Sequence, residues 1–325
     1  MTFTAELSGI HPRSEQLIEL TRSYDRGKTD RTSVEKQIEQ DTLDLVNLEE
    51  NSGFHALSDG AFAWQDQLRP VVESLAGVTT GTRYSRWFDT NTFFKKPTVT
   101  GRIGLAQFDA KKFIRTDLLP KSKTWKVSLI GPYTFSELAE NLHYKTQSDL
   151  ISDVARAENE IIRRLKANGV SQFHISEPCL VYRPYRENPP SSNELDTALN
   201  GLRLTVEGID TPTTIQTYFG DATTILPQLL ELPVDGVGFD LFETDYAQSR
   251  IDTKKRIVLG IVDSRESNVE NPEWIAETAT RAAKHIAAER IVLAPNSDLK
   301  FLPRKVGDAK ARSLAEATKL VGRSV

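Results

Sequence analysis

The 325 residues carry 41 Lys and Arg against 45 Asp and Glu, a formal net charge of −4, and 38% of them are hydrophobic. That balance excludes a chain that coats nucleic acid by charge, and it excludes disorder by composition. The single cysteine, Cys179, excludes an internal disulfide and any metal cluster built on several thiolates. The longest apolar runs are strand-sized, so no membrane span is expected, and no basic stretch leads into an apolar one at the start of the sequence. A cytoplasmic α/β protein is the expectation.

The first fifty residues read as helical and polar. Thr32 with Glu35 fits a capping box, and Val34, Ile38, Leu43 and Val46 form an interrupted apolar stripe. After Asn51-Ser52-Gly53, short apolar runs alternate with helical patterns, with Gly, Pro, Asp and Asn at the joints. Strands are expected at about 54–59, 84–89, 125–130, 171–176, 213–218, 235–240, 256–262 and 290–294. An extra hairpin is expected within 92–124, around Arg102-Ile103-Gly104-Leu105. Leu150, Val154, Ile161 and Leu165 lie at helical spacing before Asn168-Gly169 ends the segment. Pro189-Pro190-Ser191-Ser192 reads as a loop between a strand and its helix. Asn271-Pro272 opens a helix as N-cap and first residue, with Ile275, Ala279, Ala282 and Ile286 as its buried stripe, and a last helix fits 308–321.

Strand–helix alternation from residue 125 onward predicts a parallel sheet with right-handed crossovers, and eight such units favour closure. The expected fold is a (β/α)8 TIM barrel over 53–325, with an N-terminal helical extension over 1–52 packing on it. Neither a G-x-G-x-x-G after the first strand nor a G-x-x-x-x-G-K-[ST] occurs, which removes the main support for dinucleotide and P-loop readings. In such a barrel chemistry sits at the C-terminal ends of the strands. Polar residues collect there: Asp89, Asn91, Glu177, Tyr218, Asp221, Asp240, Asp263, Arg265, Asn296, Asp298 and Lys300. Glu177, Asp240, Asp263 and Arg265 are the candidates for acid–base work. Asp89, Asn91, Tyr218, Asn296, Asp298 and Lys300 are the candidates for holding substrate.

Six motifs follow one another in a telling order. They are Trp87-Phe88-Asp89-Thr90-Asn91, Gly131-Pro132-Tyr133-Thr134-Phe135, Ser176-Glu177-Pro178-Cys179-Leu180-Val181, Thr217-Tyr218-Phe219-Gly220-Asp221, the run from Leu232 to Asp240, and Gly260-Ile261-Val262-Asp263-Ser264-Arg265. The series resembles the cobalamin-independent methionine synthase family, most closely the N-terminal of that family's two barrels, from about residue 9 to the C-terminus. The resemblance implies methyl transfer from 5-methyltetrahydrofolate to homocysteine, giving methionine.

In the family's catalytic barrel, zinc held by His, two Cys and Glu activates the thiol, which is a poor nucleophile until deprotonated. The place of the family's His-x-Cys reads Gln216-Thr217-Tyr218-Phe219-Gly220 here, with neither ligand, and the second cysteine would fall near Asn296-Ser297-Asp298. Cys179 replaces the small residue of the family's Asp-Glu-Pro-Ala motif, and Ser176 its aspartate. No metal site is therefore expected in this chain. A separate zinc-bearing barrel is the expected partner, making this chain the zinc-free subunit of a split methionine synthase. The basic Arg-Glu-Leu-Lys element that meets the folate tail in the family reads Ile18-Glu19-Leu20-Thr21, although Arg83, Arg86, Lys95, Lys96, Lys121 and Lys123 form another basic group. Two alternatives stand beside this reading: an independent zinc-free barrel enzyme acting on a small anionic substrate, and a folate-binding module.

Overall fold

The computed structural model describes residues 3–182, 190–248, 251 and 253–321. Its strands are β1 (Thr4–Ala5), β2 (Ala56–Leu57), β3 (Leu75–Arg86), β4 (Phe93–Leu105), β5 (Thr124–Ile130), β6 (Glu140–Asn141), β7 (Gln172–Ser176), β8 (Thr213–Gln216), β9 (Gly236–Asp240), β10 (Arg256–Val262) and β11 (Ile291–Pro295). The helices are α1 (Glu15–Asp25), α2 (Arg31–Ser52), α3 (Arg69–Val72), α4 (Pro132–Leu138), α5 (Gln147–Ala167), α6 (Ser192–Thr205), α7 (Leu226–Leu230), α8 (Pro272–Ala282) and α9 (Arg304–Val321).

Eight strands form one parallel sheet in the order β1-β11-β10-β9-β8-β7-β5-β2, the curled sheet of a (β/α)8 barrel. Every residue of β7, β8, β9 and β11 is buried, as expected of parallel strands with helices on one face and a packed barrel interior on the other. No ladder joins β1 to β2 among the described residues. That seam is held by the segment after β1, where the His11 N–H donates to the Gly60 carbonyl and the Gly9 N–H to Ser128 Oγ of β5, at 3.0 and 2.9 Å.

Several sequence expectations need correction. The segment 84–89 is not a barrel strand. Residues 84–86 end β3, which pairs antiparallel with β4 in a hairpin outside the barrel sheet, and Trp87–Asn91 form its turn. Arg102-Ile103-Gly104-Leu105 lies in the second arm of that hairpin. The eighth place in the sheet is taken by β1, whose Thr4 and Ala5 align with Val292 and Leu293 of β11, so the sheet draws on residues either side of position 52. Helix α2 is capped by Asp30, which accepts the Ser33 N–H at 2.7 Å, rather than by Thr32, and Leu45 is buried where Leu43 was expected. It ends at Gly53, whose φ of 82° supplies the left-handed turn. Asn271 caps α8 as expected, accepting the N–H groups of Glu273 and Trp274, and Ile275, Ala279, Ala282 and Ile286 are buried. The last helix starts at Arg304, one turn earlier than its sequence pattern suggested. Of the expected Pro189–Ser192 loop, Pro189 lies outside the described residues, and Ser191 caps α6 with a complete capping box.

Candidate functional site

The site is built at the mouth of the barrel, where strands end and irregular backbone begins. Glu177 follows β7 and is fully buried. Its carboxylate accepts the N–H groups of Tyr133 and Thr134 at 2.9 and 2.8 Å and the Thr134 hydroxyl at 2.6 Å, so it closes the N-terminus of α4. Gly131 makes this possible, because a Cβ there would lie 2.3 Å from Glu177 Oε1. Burial pushes the Glu177 carboxyl up to about 7, against the pull of those donors.

Asp240 ends β9 in a similar way. It accepts the N–H of Phe219 at 3.1 Å and of Phe242 at 3.0 Å, and burial raises it to about 6. Asn296, after β11, donates its side-chain amide to both Asp240 Oδ2 and Asp263 Oδ1, at 3.1 and 3.3 Å, and its own oxygen accepts the Ser264 N–H at 2.9 Å. Asp263 is fixed from behind. Its N–H donates to Glu270, which in turn receives the buried Lys310 ammonium at 2.7 Å. Arg265 joins Asp263 and Glu243 at 3.5 and 3.1 Å and lies 4.7 Å over the ring of Phe219. The structure thus brings Asp240, Asp263, Arg265 and Asn296 into one connected group.

A second group stands beside it. Asp298 is buried and accepts from the Gln67 amide, and Gln67 Oε1 receives the Tyr218 hydroxyl at 3.4 Å. Gly9 presses its backbone onto this carboxylate; its φ is +71° and a Cβ would sit 1.7 Å from Asp298 Oδ1. Lys300 is half-buried, with its ammonium 5.1 Å from the centre of the Trp87 ring and 5.5 Å from that of Phe301. It forms no ion pair or hydrogen bond with a described residue. Burial lowers its pKa while Asp298 opposes the shift. Asp89 and Asn91 are exposed on the hairpin turn, where Asp89 accepts the Tyr182 hydroxyl at 2.5 Å. Asp221 turns away to its own loop, accepting the Thr223 N–H at 2.8 Å.

The mouth also contains residues that sequence reasoning had not assigned to it. Gln67 comes from the loop before α3 and carries no recognisable signal. Phe88 and Phe219 adopt left-handed backbone, with φ of 47° and 64°, and their rings lie 6.3 Å apart across the opening. Non-glycine residues rarely sit there, and such strain collects at sites that must hold a special shape. Asp240 pins the Phe219 turn through its N–H.

The side chains do not fit the zinc that the family's catalytic barrel carries. Where the resemblance puts two ligands, Gln216 donates its amide to the carbonyls of Asn296 and Pro295, at 2.7 and 3.3 Å, which ties β8 to the end of β11. His174 stands within the strand, its Nδ1 3.5 Å from Ser8 Oγ, and burial together with Lys126 lowers its pKa to about 3. Glu177 is committed to α4. Among the described residues no group of three or more His, Cys, Asp or Glu side chains is arranged to hold a metal ion, and no helix is long and apolar enough to cross a membrane.

Comparison with known proteins agrees with this architecture. The chain is 24% identical to a methionine synthase of Sulfolobus acidocaldarius over 318 residues, 96% of this chain and 90% of the relative. It is also 24% identical to a methionine synthase of Sulfurisphaera tokodaii over 316 residues, with the same coverage. Its fold is that of a B12-independent methionine synthase from Shewanella solved in complex with selenomethionine, with a TM-score of 0.83 at 18% identity over 99% of this chain and 98% of the other. The family described as cobalamin-independent synthase, N-terminal domain, matches residues 77–287. By that match the chain belongs to the cobalamin-independent synthase N-terminal domain family.

Proposed function

We propose that this chain is the N-terminal-type barrel of a two-chain methionine synthase, acting in methyl transfer from 5-methyltetrahydrofolate to homocysteine beside a zinc-bearing barrel on another polypeptide. One observation carries the reading: the end of β8 is filled by Gln216, whose amide is consumed by two backbone carbonyls at the place where a catalytic barrel of the family holds metal. Zinc in the partner would supply a thiolate at neutral pH, which homocysteine alone does not provide. This chain would contribute a shaped, partly apolar mouth. Trp87, Phe88 and Phe219 are buried and form its apolar wall, and Lys300, half-buried over Trp87, would offer a cation to the acidic glutamyl portion of a folate.

The test is reconstitution. Purified alone, the chain is expected to hold no stoichiometric zinc and to show no methyl transfer. Co-purification from the source cells should retrieve a barrel that carries the missing ligands, and mixing the two should produce methionine. Stoichiometric zinc and full activity in the isolated chain would overturn the proposal.

A second reading, an enzyme acting alone on a small anionic substrate, draws support from Lys300, a half-buried cation without an ion-pair partner among the described residues. It also draws on the single-barrel length of relatives named methionine synthase. Turnover by the isolated chain that is lost in Lys300→Met, with folding intact, would favour it.

A further inference from the structure

The end of the barrel opposite the mouth carries an open cleft of about 530 Å³, formed where β5, β7, β9, β10 and β11 begin. That volume lies within the range of ordinary small-molecule sites. Its lining includes Lys254, Lys255, Arg256 and Arg290 against a single carboxylate, Asp235, with His55 at one side.

These charges are not equivalent. Arg256 is anchored, donating to Glu6 Oε1 at 3.1 Å and Thr214 Oγ1 at 3.2 Å. Lys255 is anchored too, its ammonium held by the carbonyls of Leu232 and Val234 at 2.7 and 2.5 Å without a carboxylate. Asp235 already accepts the Thr213 N–H at 2.8 Å. The side chains of Lys254, exposed, and Arg290, half-buried, make no hydrogen bond or ion pair with any described residue.

Fold stability accounts for Arg256, whose partner Glu6 is buried in the barrel. It gives no account of Lys254 and Arg290, which add positive charge to a wall that already has an excess. A concave surface with surplus cations and a protein floor concentrates a positive potential, and guanidinium and ammonium groups together are the usual grip on phosphate oxygens.

We propose that this cleft is a binding site for a small molecule bearing a diphosphate, separate from the mouth. Arg256 and Lys255 form its fixed base, and Arg290 and Lys254 close on the ligand.

The test uses the whole chain and inorganic pyrophosphate as probe, followed by calorimetry at low and at physiological ionic strength. Saturable binding is expected, tighter than that of sulfate. The double variant Lys254→Ala/Arg290→Ala should weaken it about tenfold or more, the loss expected when charge-assisted hydrogen bonds are removed. Arg290→Lys should retain part of the affinity. A control with the same change in net charge, Arg31→Ala/Lys36→Ala on α2, outside the cleft, should leave it unchanged. Absence of binding, pyrophosphate binding no tighter than sulfate, or equal loss in the cleft variant and the control would each overturn the proposal. The outcome is independent of whether the chain works in methyl transfer, since the readout involves neither folate nor homocysteine.

Discussion

The two ends of the barrel bury carboxylates by opposite means. At the end opposite the mouth, Glu6 receives the Lys126 ammonium at 2.9 Å, Arg256 at 3.1 Å and the Gln172 amide at 2.8 Å. Burial alone would raise its pKa, but the two cations outweigh it and hold the carboxyl at about 2. At the mouth, Glu177 and Asp240 are met chiefly by N–H and hydroxyl donors, and burial prevails, lifting them to about 7 and about 6. Neutral donors stabilise a carboxylate less than a formal charge at the same distance. Glu6 is therefore held ionised, while Glu177 and Asp240 change charge near neutrality, a property suited to a site.

That contrast can be broken experimentally. Glu6→Gln should have the largest effect, about 3–5 kcal/mol of lost stability by urea denaturation, because it leaves Lys126 and Arg256 uncompensated inside the barrel. A loss under about 1 kcal/mol would mean that the Glu6 cluster does not anchor this end of the barrel. Next is Asp240→Ala, which strips acceptors from the Phe219 and Phe242 N–H groups and from Asn296; about 3 kcal/mol is expected. Gly131→Ala should cost about 1–3 kcal/mol, since the added methyl group meets the Glu177 carboxylate at the start of α4.

Glu177→Gln sharpens the comparison through pH. The folded protein holds the Glu177 proton up to about 7, whereas the unfolded chain releases it near 4.5. The contribution of this group is fully present below the lower value and is lost as pH rises through the upper one. Thermal midpoints measured from about pH 5 to about pH 8 should therefore shift in favour of the variant relative to the parent; parallel curves would remove Glu177 from the titrating set. The smallest effect on stability is expected for Lys300→Met, within about 1 kcal/mol, because Lys300 has no ion pair with a described residue to lose. Its consequence should instead be weaker binding of folate, read by calorimetry.

Much of the fold was legible because long parallel strands leave near-continuous apolar runs, as at Arg256–Val262, and because Asn271-Pro272 marks a helix start chemically. Family membership was legible in six short motifs and is shown by the family match. What escaped were features without periodicity. A two-residue strand such as β1 has no pattern to read, and a short extended segment such as 84–86 does not reveal whether its partner is a barrel strand or the other arm of a hairpin. At the mouth, the ends of β7 and β9 made Glu177 and Asp240 visible as residues. Their attachment to the N–H groups of α4 and of the Phe219 turn was not visible, and Gln67 gave no sign at all.

By itself the sequence determined the chemical inventory: one thiol, no histidine at the end of β8, and acidic residues where apolar runs stop. It also determined the alternation of elements, because burial and backbone hydrogen bonding act over a few neighbouring residues. Only the tertiary structure decided which carboxylates are ionised and which are held near neutrality. That depends on whether a cation or an amide lies within about 3 Å, and residues such as Glu6 and Arg256 reach each other only once the barrel has formed.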